Sequence, residues 1–340
     1  MARASNDRAP PLADGATEGC TAQGRARVTE ADIAIVGAGP AGLSAALYAA
    51  RFCRSTLVLH DGSARAARIP RTRNVPGFES GITGPSLIAR MSRHAAKYGA
   101  KIVEAHISRL YRSPGSGFEL KSEEGDSYSA RALILATGLE CNSIPIDDRL
   151  HARAIRRGVL RYCPVCDGYE HRGERIGVVG CDVSGASEAL FLRQFSSKIQ
   201  LLTQYSADLT DEQRRDLAQA GIETVTDPVA GYDLVGGTMR VRLEGASKPL
   251  TFDVLYPALG TRPRHALAMS LGIPLNDEGK VAASAPFGTG VAGAFCAGDL
   301  VEGLDQISVA MGQGAIAATR AHNWLRDQDG QTADAVLDEA

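Results

Sequence analysis

One signature restricts this chain more than any other: an apolar strand run, a glycine-rich turn and a helical pattern in immediate succession, present twice. Ile33, Ala34, Ile35 and Val36 form the first run, and residues 43–51 repeat with helical spacing. Between them stand Gly37, Ala38, Gly39, Pro40, Ala41 and Gly42. A second apolar run at 56–59 ends at His60, Asp61 and Gly62, which completes a βαβ unit. In such a unit Gly37 permits the tight turn, Gly39 lets backbone N–H groups approach a pyrophosphate, and Gly42 brings helix and strand together. Asp61 stands where a carboxylate accepts hydrogen bonds from a ribose. The pattern returns with a strand at 175–179, a turn at 180–185, a helix at 186–195 and a strand at 199–203.

Two such units in 340 residues predict two domains, each large enough to bury its own core. The fold class is α/β, with two Rossmann-like dinucleotide-binding domains of three-layer ββα type, the second inserted into the first. A strand at 101–103, a hairpin at 115–125 and a buried run at 132–136 extend the first unit, and a helix from about 306 to 326 closes the chain. The expected division is a disordered leader at 1–30, a first domain at 31–147 and 250–326, an inserted domain at 148–249 and a polar tail at 327–340. The formal charge of -2 supplies no broad basic surface for nucleic acid or membrane. No run of about 18 apolar residues occurs that would span a bilayer. Seven cysteines, scattered except for one close pair, are unlike a secreted disulfide framework, and a cytoplasmic setting is expected.

That close pair is Cys163 and Cys166, followed by Asp167 and Gly168. Two intervening residues allow a small disulfide ring to open and close, and a stabilised thiolate attacks an external disulfide. Asp167 adjoins the pair and is the candidate to move a proton between thiol and thiolate. Two alternatives stay open on the residues alone: a zinc site built from Cys163, Cys166, His171 and Cys181, and an inert buried pair.

Taken with the glycine loop, the pair makes the chain resemble the low-molecular-weight thioredoxin reductase family over residues 31 to about 326. Further carriers of the resemblance are Asn74, Val75, Pro76 and Gly77, the strand end Ala136, Thr137 and Gly138, and Ala297, Gly298 and Asp299. The position of the pair, just before the second nucleotide strand, is the family's own. The resemblance implies FAD at the first loop, with Asp299 on the ribityl chain and with Gln306 and Ile307 beside the isoalloxazine ring. It implies that Cys166 faces the flavin, that Cys163 exchanges with the substrate disulfide and that Asp167 is the acid. It further implies NADPH or NADH at the second loop on Gly180, Ser184 and Gly185, a homodimer, and two domain orientations with a hinge strand near 144–150. The substrate it implies is a thioredoxin-like protein or a small-molecule disulfide.

Three departures from the family qualify this. Asp182 replaces the second glycine of the second loop, and two unit charges about 4 Å apart at an effective dielectric near 20 repel by roughly 4 kcal/mol. That is about a thousandfold in affinity; alternatively, Asp182 caps the helix and consumes the donors a phosphate needs. Thr203, Gln204, Tyr205 and Leu209 stand where NADPH-using relatives place a histidine and arginines, and Leu304, Asp305 and Gln306 replace tyrosine, arginine and glutamine. A pyridine-nucleotide-independent version, driven by ferredoxin or running as a dithiol oxidase, is therefore a second expectation, and a non-catalytic redox sensor a third.

Overall fold

The computed structural model describes residues 28–113, 117–282 and 289–331. Most of the expected leader, with Cys20, and most of the expected tail lie outside the described residues. The chain begins with β1 (Val28–Val36), whose alternate side chains feed two cores: Ile33 and Ile35 on one face, Ala34 and Val36 on the other. After it come α1 (Pro40–Arg51), β2 (Thr56–His60), α2 (Gly84–Lys97), β3 (Lys101–Glu104), β4 (Ile107–Arg112), β5 (Phe118–Ser122) and β6 (Ser127–Leu135). The sheet order is β3-β2-β1-β6-β5-β4, with β1 parallel to both β2 and β6. Because β2 lies on one side of β1 and β6 on the other, the loops leaving β1 and β6 open a crevice at the strands' C-terminal ends.

β7 (Leu139–Cys141) then leaves this sheet and leads to α3 (Asp148–Arg157) and the one-turn α4 (Pro164–Asp167). A second body follows from β8 (Arg175–Cys181), α5 (Val183–Leu192), β9 (Lys198–Ala207), α6 (Asp211–Gln219), β10 (Glu223–Val225), β11 (Val229–Val235), β12 (Thr238–Leu243), β13 (Leu250–Phe252) and β14 (Val254–Pro257). Its parallel sheet runs β10-β9-β8-β14, and β11, β12 and β13 form a separate antiparallel sheet. The chain returns through β15 (Thr261–Pro263), antiparallel to β7, then α7 (Ala266–Ser270), β16 (Ala294–Cys296) on β6, and α8 (Ile307–Gln328). Two Rossmann-like domains result, the second inserted into the first. Among the described residues no helix is long and apolar enough to cross a membrane.

Three local features differ from the sequence expectation. The strands at 250–257, expected at the return to the first domain, pair with β12 and β8 instead. A central parallel strand is buried on both faces, so its apolar run carries no mark of which sheet it joins. The stretch 144–150, expected as a hinge strand, is not one: Ile144 is buried in the second body's core, and the paired connectors are β7 and β15. α3 occupies residues expected as linker and inserted-domain edge. It buries only Ala154 and so shows no apolar stripe, although Asp147 caps its N-terminus and Gly158 ends it in the left-handed region at φ 77°.

α8 lies so close to α1 that Ser44 Oγ donates to the Met311 carbonyl at 2.7 Å. A Cβ on Gly314 would stand 2.1 Å from the Ala41 carbonyl oxygen. Gly314→Ala should therefore force the helices apart at a cost of about 1–3 kcal/mol. Because Ala41 belongs to the first glycine loop, the variant should also retain less FAD. Thermal unfolding and the flavin-to-protein ratio check this; a wild-type melting temperature would show that the helices are not in such close contact.

Candidate active site

Cys163 is the N-cap of α4 and Cys166 its third residue, and the two are bonded to each other as a disulfide. Pro164 supplies a preset φ at the first helical position, and the Cys166 N–H donates to the Cys163 carbonyl at 3.0 Å, which closes the turn that brings the sulfurs together. Both cysteines are half-buried, with Val165 between them exposed. The disulfide faces the first domain. Gln306, at the N-cap of α8, holds its amide nitrogen 3.5 Å from Cys163 Sγ and 3.6 Å from Cys166 Sγ. The oxygen of the same amide accepts from Asn74 Nδ2 at 3.0 Å. Four expected site residues from three distant segments thus meet at one point.

Behind the disulfide, the Asp167 carboxylate accepts from the Tyr256 hydroxyl at 2.7 Å and lies 3.3 Å from Arg161 Nε. Burial raises the Asp167 pKa above the ordinary carboxylate range, against the pull of the Arg161 charge and the Tyr256 hydrogen bond. Tyr256 comes from β14 and is fully buried, and the His171 ring meets it edge-on at 6.2 Å. His171 Nδ1 is 2.6 Å from Glu174 Oε2, so the histidine is engaged by a carboxylate. Neither Arg161 nor Tyr256 is distinguishable in the sequence: Tyr256 is one residue of an apolar run.

In the crevice of the first domain three loops converge, since Val36, Leu135 and Cys296 stand level at the ends of β1, β6 and β16. Gly37 turns at φ 111°, and a Cβ there would lie 2.2 Å from the Ala136 carbonyl oxygen. Gly42 allows equally little, its Cβ falling 1.9 Å from the Gly37 carbonyl oxygen. Gly39 is the opposite case: a Cβ would meet nothing within 4 Å, and α1 has neither a side-chain cap nor an acidic residue in its first turn. The N-terminus of α1, opening with Pro40 and Ala41, thus offers free N–H groups to an anion, which fits the pyrophosphate of FAD.

Asp61, at the end of this site, accepts from the Ser63 N–H at 2.9 Å and lies 3.3 Å from Arg264 Nη1. Despite partial burial, these partners hold its carboxyl below the usual range. Thr137 Oγ1 donates to the Arg264 carbonyl at 2.7 Å, and Gly138 accepts the Arg264 N–H at 2.9 Å. Asp299 pairs with Arg65 at 2.9 Å, and the adjacent Gly298 N–H donates to Gln313 Oε1 at 2.7 Å. Asp305, which replaces the family's arginine, is held at 3.0 Å on both oxygens by Lys280, a lysine only 6% exposed. Arg65 also donates to the Asp305 carbonyl at 3.2 Å. The cation absent from position 305 is therefore supplied from two other segments, and no sequence pattern marks Arg65, Lys280 or Arg264.

The second loop repeats the first in its backbone. Gly180 turns at φ 135°, and a Cβ on Gly185 would stand 1.5 Å from the Gly180 carbonyl oxygen. Ser184 lies exposed in the first turn of α5. Asp182 is the N-cap, its Oδ1 accepting from the Gly185 N–H at 2.9 Å.

Residues 31–314 match the pyridine nucleotide-disulphide oxidoreductase family. The thioredoxin reductase of Bacillus subtilis is 32% identical over 311 residues, covering 87% of this chain and 95% of the relative. The crystal structure of the Streptococcus pyogenes thioredoxin reductase superposes with a TM-score of 0.77 at 26% identity, over 88% of this chain and all of that one. The Lactococcus lactis thioredoxin reductase in its FR conformation reaches only 0.57 at 25% identity, over 87% of this chain and 99% of that one. With a redox-active cysteine pair against the N-terminus of α8 and an FAD-type crevice beside it, the chain belongs to the pyridine nucleotide-disulphide oxidoreductases, as an FAD-dependent, thioredoxin reductase-like disulfide oxidoreductase.

Proposed function

We propose that the chain moves two electrons between its FAD and the disulfide or dithiol of a thioredoxin-like protein, through Cys163 and Cys166. The reading rests above all on the Gln306 amide, which touches both sulfurs and Asn74 at once. Bound FAD supplies the two-electron donor or acceptor at the crevice formed by Gly37, Gly39, Gly42, Ala136, Gly138 and Asp299. The protein's own steps are thiol chemistry. Two electrons break the Cys163–Cys166 bond, leaving Cys163 as the thiolate while Cys166 takes one proton from the Asp167 carboxyl. The Cys163 thiolate then attacks a partner sulfur; a mixed disulfide forms, the partner's disulfide breaks and one partner thiolate leaves. Attack by Cys166 on the Cys163 sulfur, its proton returning to the Asp167 carboxylate, restores the internal disulfide; the second partner sulfur leaves, and both partner thiolates take their protons from water. The sequence runs equally well in reverse. Cys166 as the flavin-side thiol and Cys163 as the exchanging one are assigned from the family resemblance.

The disulfide's position against Gln306 at the N-terminus of α8 favours a domain orientation that presents the pair to the flavin. Exchange with a partner then requires rotation about β7 and β15, which we take as the hinge and as the limits of the inserted domain. A protein partner is favoured by the apolar surface beside the pair: Val165 is 51% exposed and Tyr169 60%, with the Arg172 guanidinium 3.9 Å over the Tyr169 ring.

Three outcomes test this account in FAD-loaded protein reduced photochemically without oxygen. Mixing with oxidised thioredoxin should restore the flavin's visible absorbance, and Cys166→Ser should instead accumulate a mixed disulfide at Cys163, seen as a mass increase; capture by Cys163→Ser would reverse the two roles. Asp167→Asn should slow recovery by about 10²-fold. The wild-type rate should fall as pH rises through the raised Asp167 pKa, because the proton is then lost from the acid. A pH profile unchanged by the substitution would remove Asp167 from the proton path. Replacing Val165 and Tyr169 together by serine should lower the rate constant for thioredoxin by about tenfold while sparing a small aromatic disulfide. Equal loss for both oxidants would argue against a protein-docking surface.

A further inference from the structure

The chain contains its own control for what a nucleotide loop needs. Both loops place a left-handed glycine over a neighbouring strand's carbonyl: Gly37 over Ala136, where a Cβ would be 2.2 Å away, and Gly180 over Ala258, at 2.4 Å. Both bring a helical glycine against that turn, Gly42 in one and Gly185 in the other. They differ in the middle. Gly39 leaves the start of α1 uncapped and open. Asp182 instead folds its carboxylate onto the Gly185 N–H, the type of donor a phosphate oxygen takes.

Independent observations lie around the same loop. Beyond a register shift, β9 continues until Ala207 pairs with Cys181, and the Asp208 N–H donates to the Cys181 carbonyl at 2.7 Å. The end of the second strand, where a ribose is read in such folds, is thereby laid against the loop itself. Gln204 is buried and receives the Tyr232 hydroxyl, and Thr203 Oγ1 donates to the Val225 carbonyl at 2.9 Å. Tyr205 is 75% exposed, and residues 203–209 include no lysine or arginine to meet a 2′-phosphate. Farther along α5, the Glu188 Oε2 atom is buried and has no hydrogen-bond partner among the described residues. Burial and the Asp182 charge push the Glu188 carboxyl up to about 7. Asp182 and Glu188 together leave this end of α5 acidic.

We propose that Asp182 itself fills the anion position of the second nucleotide loop, so that neither NADPH nor NADH is held there and hydride does not reach the flavin from this domain. The inserted domain then serves as the carrier of Cys163 and Cys166, and dithiols are its route for electrons in either direction. This rests on the dithiol chemistry proposed above, and the two stand or fall on separate readouts.

The experiment uses the full FAD-loaded chain without oxygen. Calorimetric titration with NADP+ and NAD+ reads binding directly, and mixing with NADPH, NADH or a small dithiol reads flavin bleaching. Wild-type protein should show no heat of binding at millimolar nucleotide and no rapid bleaching by either nicotinamide, while the dithiol bleaches the flavin. Asp182→Gly should gain at least about a hundredfold in nucleotide affinity. Asp182→Asn, which removes the charge but keeps a capping oxygen, should gain less. Rapid bleaching of the wild type by NADPH or NADH overturns the proposal. So does an Asp182→Gly protein that keeps wild-type dithiol bleaching, and is therefore folded, yet still binds no nucleotide. Failure of the dithiol alone would sink the thiol chemistry while leaving the nucleotide titrations readable.

Discussion

The hydrogen-bonded amide of Gln306 joins two domains whose cores are otherwise built separately. One side of it is fixed by Asn74, and the other rests on the two sulfurs. Its position follows from the backbone: residue 306 is the N-cap of α8, and α8 is seated on α1 through Gly314 and the Ser44 hydroxyl. A displacement of α8 would shift both the nucleotide loop that contacts it and the amide that meets the disulfide. Helix packing, cofactor cradle and thiol position are therefore one mechanical unit.

Charge is arranged around this unit by burial. Asp167 and Asp299 are both carboxyls whose pKa is raised by desolvation, and each is met by an arginine, Arg161 and Arg65 respectively. A buried carboxylate left without its cation is strongly destabilising. At position 305 the burial runs the other way: Asp305, which stands in place of the family's arginine, is part-exposed and is the counter-ion of the buried Lys280 from another segment. The chain keeps positive charge near α8 while changing the residues that carry it.

Much of this was legible in the sequence because it depends on local geometry. A strand followed by Gly37, Gly39 and Gly42 has few alternatives, and the same holds for two cysteines three apart at a helix start. Asp182 was legible as a cap for the same reason. What escaped is long-range: Tyr256 on Asp167, Lys280 on Asp305 and Arg264 between Asp61 and Glu140 join residues 25 to more than 200 positions apart. No periodicity encodes such pairs. The return point of the chain escaped for a related reason, since β14 is apolar on both faces and either sheet would accept it. α3 was missed because it shelters under little of the protein and its face is mostly arginine and aspartate.

The two connectors between the bodies are short: β7 and β15, three residues each and hydrogen-bonded side by side. A single strand would let the inserted domain wander in every direction, and a broad interface would freeze it. A narrow two-stranded ribbon resists stretching and bending within its plane but yields to torsion. If the inserted domain turns as proposed above, such a ribbon gives it one soft coordinate, and a disulfide carried on the far side sweeps a fixed arc back to the same amide.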